Sequence, residues 1–191
     1  MDASTLTARL AACYSGAVHD VLRMMGHDNI VLPPAIKAIA PGTRLAGPVW
    51  TVSGHIDRTR TRHETLLGWC TLLARAPSGH VVVCQPHNHE VALMGELSAQ
   101  TLQARGVLGY VVDGGSRDTD LGLEQRFPVF CSFLTPSDIV ERWIPDRYGP
   151  FRDRSTAPAR GMKRCWAGAR CSRARLPGTW SYVSRTTTRS R

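Results

Sequence analysis

The chain has 191 residues, 42% apolar and 20% charged, ordinary values for a soluble protein with one sizeable core. Its net charge of +9 points to nucleic acid only until it is located: residues 150–191 carry 11 Lys/Arg against one acid, Asp153, whereas residues 1–149 carry 13 against 14. The body is therefore near neutral, which argues against a nucleic-acid partner, and no run approaches the roughly 18 apolar residues of a membrane helix.

The N-terminus, Met1-Asp2-Ala3-Ser4-Thr5, lacks the basic-then-apolar order of a secretory signal, so a cytoplasmic protein is expected. Residues 4–26 read as helical. Leu6, Leu10, Tyr14, Val18, Val21, Leu22 and Met25 recur at three- and four-residue steps, Ser15-Gly16 is a candidate break, and Gly26 a suitable stop. An irregular segment with Pro33-Pro34 and Pro41-Gly42 precedes a strand candidate at Gly47–Ser53. Residues 61–75 suit a helix carrying Leu66, Leu67, Leu72 and Leu73. The continuous run Val81–Cys84 has the character of a strand buried on both faces.

A helix is expected over 94–105, with Leu97, Thr101, Leu102 and Ala104 on or near its inner side and Gly106 ending it. Leu108–Val112 follows as another buried strand, then a short helix around 119–126 and a strand at Val129–Phe133. Strands alternating with helices imply an α/β fold with a largely covered sheet. Trp50, Trp69 and Trp143 read as packing residues. The six cysteines, Cys13, Cys70, Cys84, Cys131, Cys165 and Cys171, form no CxxC pair, so neither a disulfide framework nor a zinc site is expected. Cys84 and Cys131 lie in apolar runs, where free cysteine behaves as a small hydrophobe.

The chemistry concentrates in residues 85–118. Gly95-Glu96-Leu97 stands where a loop enters a helix, so backbone N–H groups there lack partners and can receive an anion. Beyond the strand Leu108–Val112 comes Asp113-Gly114-Gly115-Ser116-Arg117-Asp118, expected at that strand's carboxyl end, where ligands of open α/β sheets usually bind. Arg117 offers a planar fork for a carboxylate. Asp118 and Glu96 offer hard oxygen ligands suited to Mg²⁺ or Mn²⁺. His87-Asn88-His89-Glu90 has the residue types of a metal cluster but no third partner at recognisable spacing; a substrate-pocket loop and a solvated loop are the other readings. His55 and Asp57, after a strand end, either line the pocket or serve the structure.

Glu96, twenty residues, then Arg117-Asp118 resembles the acid-x20-Arg-Asp signature of class II 4-hydroxy-4-methyl-2-oxoglutarate aldolases. The stretch Gly95–Leu97 with Ala104–Asp118, and upstream Asp20-Val21-Leu22, Gly26 and Pro41–Val52, is similar to the RraA-like superfamily over roughly residues 10–149. The resemblance implies a swivelling β/β/α sandwich that assembles as a homotrimer or hexamer with active sites between subunits. It implies Asp118 as the metal ligand (Mg²⁺, Mn²⁺ or another divalent cation) and Glu96 as the holder of metal-bound water. Arg117 would grip the pyruvate part of a small 2-oxo acid substrate, and amides near Gly95, Glu96 and Leu97 would receive its carboxylate. Glu96 stands where Asp is often seen, a departure that its longer arm accommodates. The implied activity is cleavage of a 4-hydroxy-2-oxo acid to pyruvate, with oxaloacetate decarboxylation beside it. No lysine lies between Lys37 and Lys163, so a Schiff-base aldolase has no candidate in the matched core.

Two other readings stand beside the lyase. One is a non-catalytic regulator resembling RraA, which binds a ribonuclease; retention of Glu96 with Arg117 and Asp118 favours the enzyme. The other is an inactive product of a damaged gene. Residues 150–191 show almost no apolar periodicity, so an irregular basic tail of low order is expected after a domain spanning 1–149. Relatives continue past such a point with further strands. GC-rich codons for Arg185–Arg191, displaced by two bases, permit Asp-Asp-Asp-Ala-Val-Ala, which resembles their ending. A shift of reading frame near residue 150 and a genuine basic extension are the two explanations, and the coding DNA separates them. Some relatives carry a methyltransferase label, but no glycine-rich nucleotide loop follows the first strand.

Overall fold

The structure, a computed structural model, describes residues 1–151 and 180–183, with backbone alone for 121–123 and 180–183. The chain opens with α1 (Ala3–Ala12), α2 (Ser15–Met24) and the short strand β1 (Lys37–Ala38), then β2 (Leu45–Ile56), α3 (Arg62–Arg75) and β3 (Val81–Gln85). It continues through α4 (Glu96–Ala104), β4 (Gly109–Val112), β5 (Gly115–Ser116), α5 (Thr119–Glu124), β6 (Val129–Cys131) and β7 (Phe133–Leu134). β8 (Trp143–Pro150) and β9 (Trp180–Val183) complete the described elements.

The apolar runs become neighbouring parallel strands, β2 on β3, β3 on β4 and β4 on β6, each joined by a helical crossover. β1 closes one side antiparallel to β6, and β8 runs antiparallel to the second half of β2. β9 pairs antiparallel with the first half of β2, Leu45–Pro48. The order is β1-β6-β4-β3-β2-β8, with β9 branching from β2. A second sheet holds β5 and β7, paired in parallel. The architecture is thus mixed α/β, two sheets with covering helices, as the sequence implies.

The central strands are covered on both faces, which is why they read as unbroken apolar runs. Val81, Val82, Tyr110, Val111 and Val112 are all buried. α3 begins at a capping box, in which the Thr61 hydroxyl accepts from Glu64 N and Glu64 accepts from Thr61 N, a motif worth about 1 kcal/mol. Its buried residues are Thr65, Trp69, Leu72 and Leu73. Trp69 meets Trp143 edge to face at 5.8 Å between ring centroids. Trp50 is buried as well, and Cys84 and Cys131 are core thiols.

Several expectations need correction. The first helical stretch does divide into two helices, at Cys13-Tyr14, immediately before Ser15-Gly16, but no residue of α1 or α2 is buried. Leu67 is exposed, and so are Leu97 (74% accessible), Thr101 and Ala104. The stripe of α4 that enters the core is Ala99 and Leu102, three residues apart; Leu97, two residues before Ala99, falls about 200° round the helix. The strand expected at Val129–Phe133 divides at Ser132, so that β6 joins the large sheet and β7 the small one. Of residues 150–191, Pro150 ends β8 and residues 180–183 form β9. Residues 152–179 and 184–191, with Cys165, Cys171 and the expectations of low order and a shifted frame, lie outside the described residues.

Candidate active site

β4 delivers Asp113-Gly114, and the chain then turns into β5 before Arg117 and Asp118 appear. The pair therefore stands beyond the small sheet, not directly at the end of β4 as the alternation of elements implies. Three contacts tie it to the segment before α4. Leu93 N donates to Gly115 O (3.0 Å), Arg117 N donates to Met94 O (2.9 Å), and Ser116 Oγ, buried, donates to the same carbonyl (3.3 Å). Gly115 permits this, because a Cβ there would lie 2.8 Å from Val91 O and 2.9 Å from the Phe133 ring.

Asp113 carries the turn. Its Oδ2 accepts from Gln85 Nε2 at the end of β3 and its Oδ1 accepts from Ser132 Oγ between β6 and β7, both at 3.0 Å. One carboxylate thus ties the ends of three strands together. Arg117 is held in turn by two acids: its Nε is 3.2 Å from Asp118 Oδ2, and its guanidinium is 3.7 Å from Asp138 Oδ2. Asp118 adopts a left-handed backbone (φ 51), uncommon outside glycine though tolerated by aspartate, so its position is set by its surroundings.

Gly95 caps α4 without a side-chain bond, and the first amide of the helix bonded to it is Ala99 N–H, donating to Gly95 O (3.0 Å). The amides that open α4 have no intrahelical acceptor and carry the positive end of the helix dipole. Glu96 is the first residue of α4; its Oε1 accepts from Gln100 Nε2 (2.9 Å). Gly95 lies so close to Arg117 and Asp118 that a Cβ would stand 2.7 Å from Asp118 Oδ2 and 3.3 Å from Arg117 Nε. The structure therefore brings Gly95, Glu96, Leu97, Arg117 and Asp118 to one helix N-terminus. Leu97 contributes backbone there, and its side chain points to solvent.

A cleft of about 150 Å³ opens beside this group. Its lining includes Met94, Gly95 and Ala99, then Arg117, Asp118 and Thr119, together with Ile39, Thr43, Arg126 and Phe127. Asp138 and Arg126 are not legible as site residues, since they reach the site through pairing of strands far apart in sequence. Asp113 and Thr43 lie inside stretches that carry the resemblance, but nothing in the sequence assigns them a part in the site.

The other candidates stand elsewhere. His87 (φ 53) and His89, whose ring lies 6.0 Å from that of Phe133, do not line the cleft; between them Asn88 is buried and accepts from Glu90 N and Val91 N. Glu90 pairs with Arg58, and His55 with Asp146 at 2.8 Å. Asp57 closes a turn: the Thr59 hydroxyl and amide, then Arg60, hold its carboxyl down at about 2. Among the described residues no group of three or more His, Cys, Asp or Glu side chains is gathered for a metal. A closed zinc site does not fit this donor set. Magnesium does, because it keeps several waters and takes one or two carboxylates together with its substrate; Asp118 and Glu96 flank the same helix end.

The RraA-like family profile (Aldolase/RraA) matches residues 15–143. The chain belongs to the RraA-like family. Among solved structures, one from novel cellulases of microbes associated with the gut ecosystem is 26% identical with a TM-score of 0.71, over 78% of this chain and 66% of that one. An uncharacterized protein from Pseudomonas syringae pv. tomato str. DC3000 is 23% identical with a TM-score of 0.65, over 77% and 64%. Streptomyces coelicolor RraAS2, an unusual member of the RNase ES inhibitor RraA protein family, is also 23% identical at 0.65, over 75% and 71%. The last two likenesses are of fold alone. The chain spans just under two thirds of the first two structures. No curated protein matches it significantly. Among the described residues no helix is long and apolar enough to cross a membrane.

Proposed function

We propose that this chain is a divalent-metal-dependent lyase that cleaves a 4-hydroxy-2-oxo acid of the 4-hydroxy-4-methyl-2-oxoglutarate type to pyruvate and decarboxylates oxaloacetate as a side activity. The observation that carries the reading is the seating of Arg117 and Asp118 against Gly95, at the helix N-terminus that Glu96 opens, beside a cleft. The family description, which joins aldolases with RraA, supports the same class.

Each residue then has one task. The amides of Gly95–Leu97 bind the substrate carboxylate in the positive field of α4. Asp118, with Glu96 acting through water, holds a magnesium or similar ion, which supplies Lewis-acid polarisation of the 2-oxo group when bound. Arg117 places fixed charge beside the oxygen on which negative charge develops, an arrangement worth roughly 10²–10³ in rate per donor. Cleavage breaks the C3–C4 bond, and its electron pair passes into the pyruvate enolate. The C4 hydroxyl loses its proton to become a carbonyl, and water returns a proton to C3. Asp138 and Asp113 keep Arg117 and its loop in place.

A homotrimer or hexamer with sites between subunits belongs to the same reading. Tyr14, Val21, Met24 and Met25, apolar and exposed in and around α2, support it. The second reading, a non-catalytic regulator of a ribonuclease, draws on the likeness to RraAS2.

The test is pyruvate release from oxaloacetate and from 4-hydroxy-4-methyl-2-oxoglutarate, with Mg²⁺ and with EDTA, beside Asp118→Ala. Pyruvate is expected only with metal and an intact Asp118. A folded protein that releases none sinks the lyase, and inhibition of a ribonuclease by the same preparation would then favour the regulator.

A further inference from the structure

Arg126 is a second cation on the cleft that holds Arg117 and Asp118. It differs from Arg117 in two ways. Arg117 is committed to Asp118 and Asp138, whereas Arg126, exposed, makes no hydrogen bond or ion pair among the described residues. Its backbone is left-handed (φ 55), a conformation that costs a non-glycine residue and persists where surroundings impose it, often at functional sites. The next residues, Phe127 (buried) and Val129, anchor it: Val129 O accepts from Ile39 N and Pro128 O from Tyr110 N. The strained residue thus sits at the fixed entry to β6 and lines the cleft together with Thr43 and Ile39.

Apart from these groups the cleft is largely apolar: Ile39, Met94, Ala99, Phe127 and Val129. A substrate with one carboxylate at the helix end has no other charge to place there. A substrate with a second carboxylate needs a cation that is not already paired, and among the described residues that line the cleft Arg126 is that cation. We infer that Arg126 sets the substrate class by receiving the distal carboxylate of a dianionic 2-oxo acid, an inference that rests on the lyase reading. A charge-assisted bond from a guanidinium suits this task, and an arginine fork holds a carboxylate better than a lysine point charge.

The experiment compares two ligands of equal length, 2-oxoglutarate and 2-oxopentanoate, by calorimetry with Mg²⁺ on the full chain. The wild type should bind the diacid roughly tenfold or more tightly, the scale of one charge-assisted hydrogen bond. Arg126→Gly should abolish that preference. This variant removes the charge while relieving the left-handed backbone, so its Tm should not fall; Arg126→Lys should keep part of the preference. A preference unchanged in Arg126→Gly overturns the inference, as does equal binding of both ligands by the wild type. Pyruvate release from oxaloacetate by the wild type, measured in parallel, reports on the lyase reading separately: failure there with the binding preference intact removes the reaction and not the diacid site.

Discussion

A Cβ on residue 95 would stand 2.7 Å from Asp118 Oδ2, so the carboxylate reaches the N-terminus of α4 only because that position is glycine. Gly95 is extended (φ −153), a conformation open to any residue, and the requirement is therefore one of space.

Gly95→Ala should push Asp118 and Arg117 away from the helix end with little backbone strain. A displacement approaching 1 Å costs about 10²-fold in activity when reacting groups must be aligned. The expected result is a loss of that order in kcat/KM for oxaloacetate with Tm changed by no more than a few degrees. Wild-type activity in Gly95→Ala would mean that the contact is not part of the site.

Asp113 joins Gln85 to Ser132, and removing it leaves two donors without acceptors at a half-buried junction. Asp113→Ala should cost about 2 kcal/mol and lower Tm by roughly 5 °C. Asp113→Asn can accept from Gln85 and donate to the Ser132 hydroxyl, so it should lose less than half as much. Thermal melts of the two variants decide the matter; equal losses would assign the effect to charge instead of to the hydrogen bonds.

Cys84 is buried on β3, and burial pushes its thiol up from the usual 9.0 to about 12. The buried hydroxyl of Tyr110 has no hydrogen-bond partner of good geometry among the described residues, and burial first, then the neighbouring Cys84, raises it well above its ordinary value too. Folding keeps both groups neutral. Their contribution to stability is complete below about pH 9 and is lost as pH rises toward 12, because the unfolded thiol ionises first. At pH 8, peptide mapping after iodoacetamide treatment should find exposed Cys70 modified and Cys84 untouched until denaturant is added. Labelling of Cys84 in the folded protein would contradict its burial.

The sequence alone determined the elements whose signals are local. Val81–Cys84 and Leu108–Val112 read as covered strands because both faces had to be apolar, α3 followed from its leucines, and α4 from its apolar spacing and the Gly106 that ends it. Gly95-Glu96 and Arg117-Asp118 were legible because their spacing across one helix and one strand is a linear pattern, and that pattern carried the family. The tertiary structure decided what no single segment encodes. Pairing of β5 with β7 moved Arg117 off the end of β4, and Asp138 and Arg126 arrived from loops whose partners lie far along the chain. The outward turn of Leu97 was decided the same way, since which stripe of an amphipathic helix is buried depends on the surface it meets. Local chemistry is written in neighbouring residues; the acids that hold Arg117 and the lining of the cleft are written in long-range packing, which only the folded chain brings together.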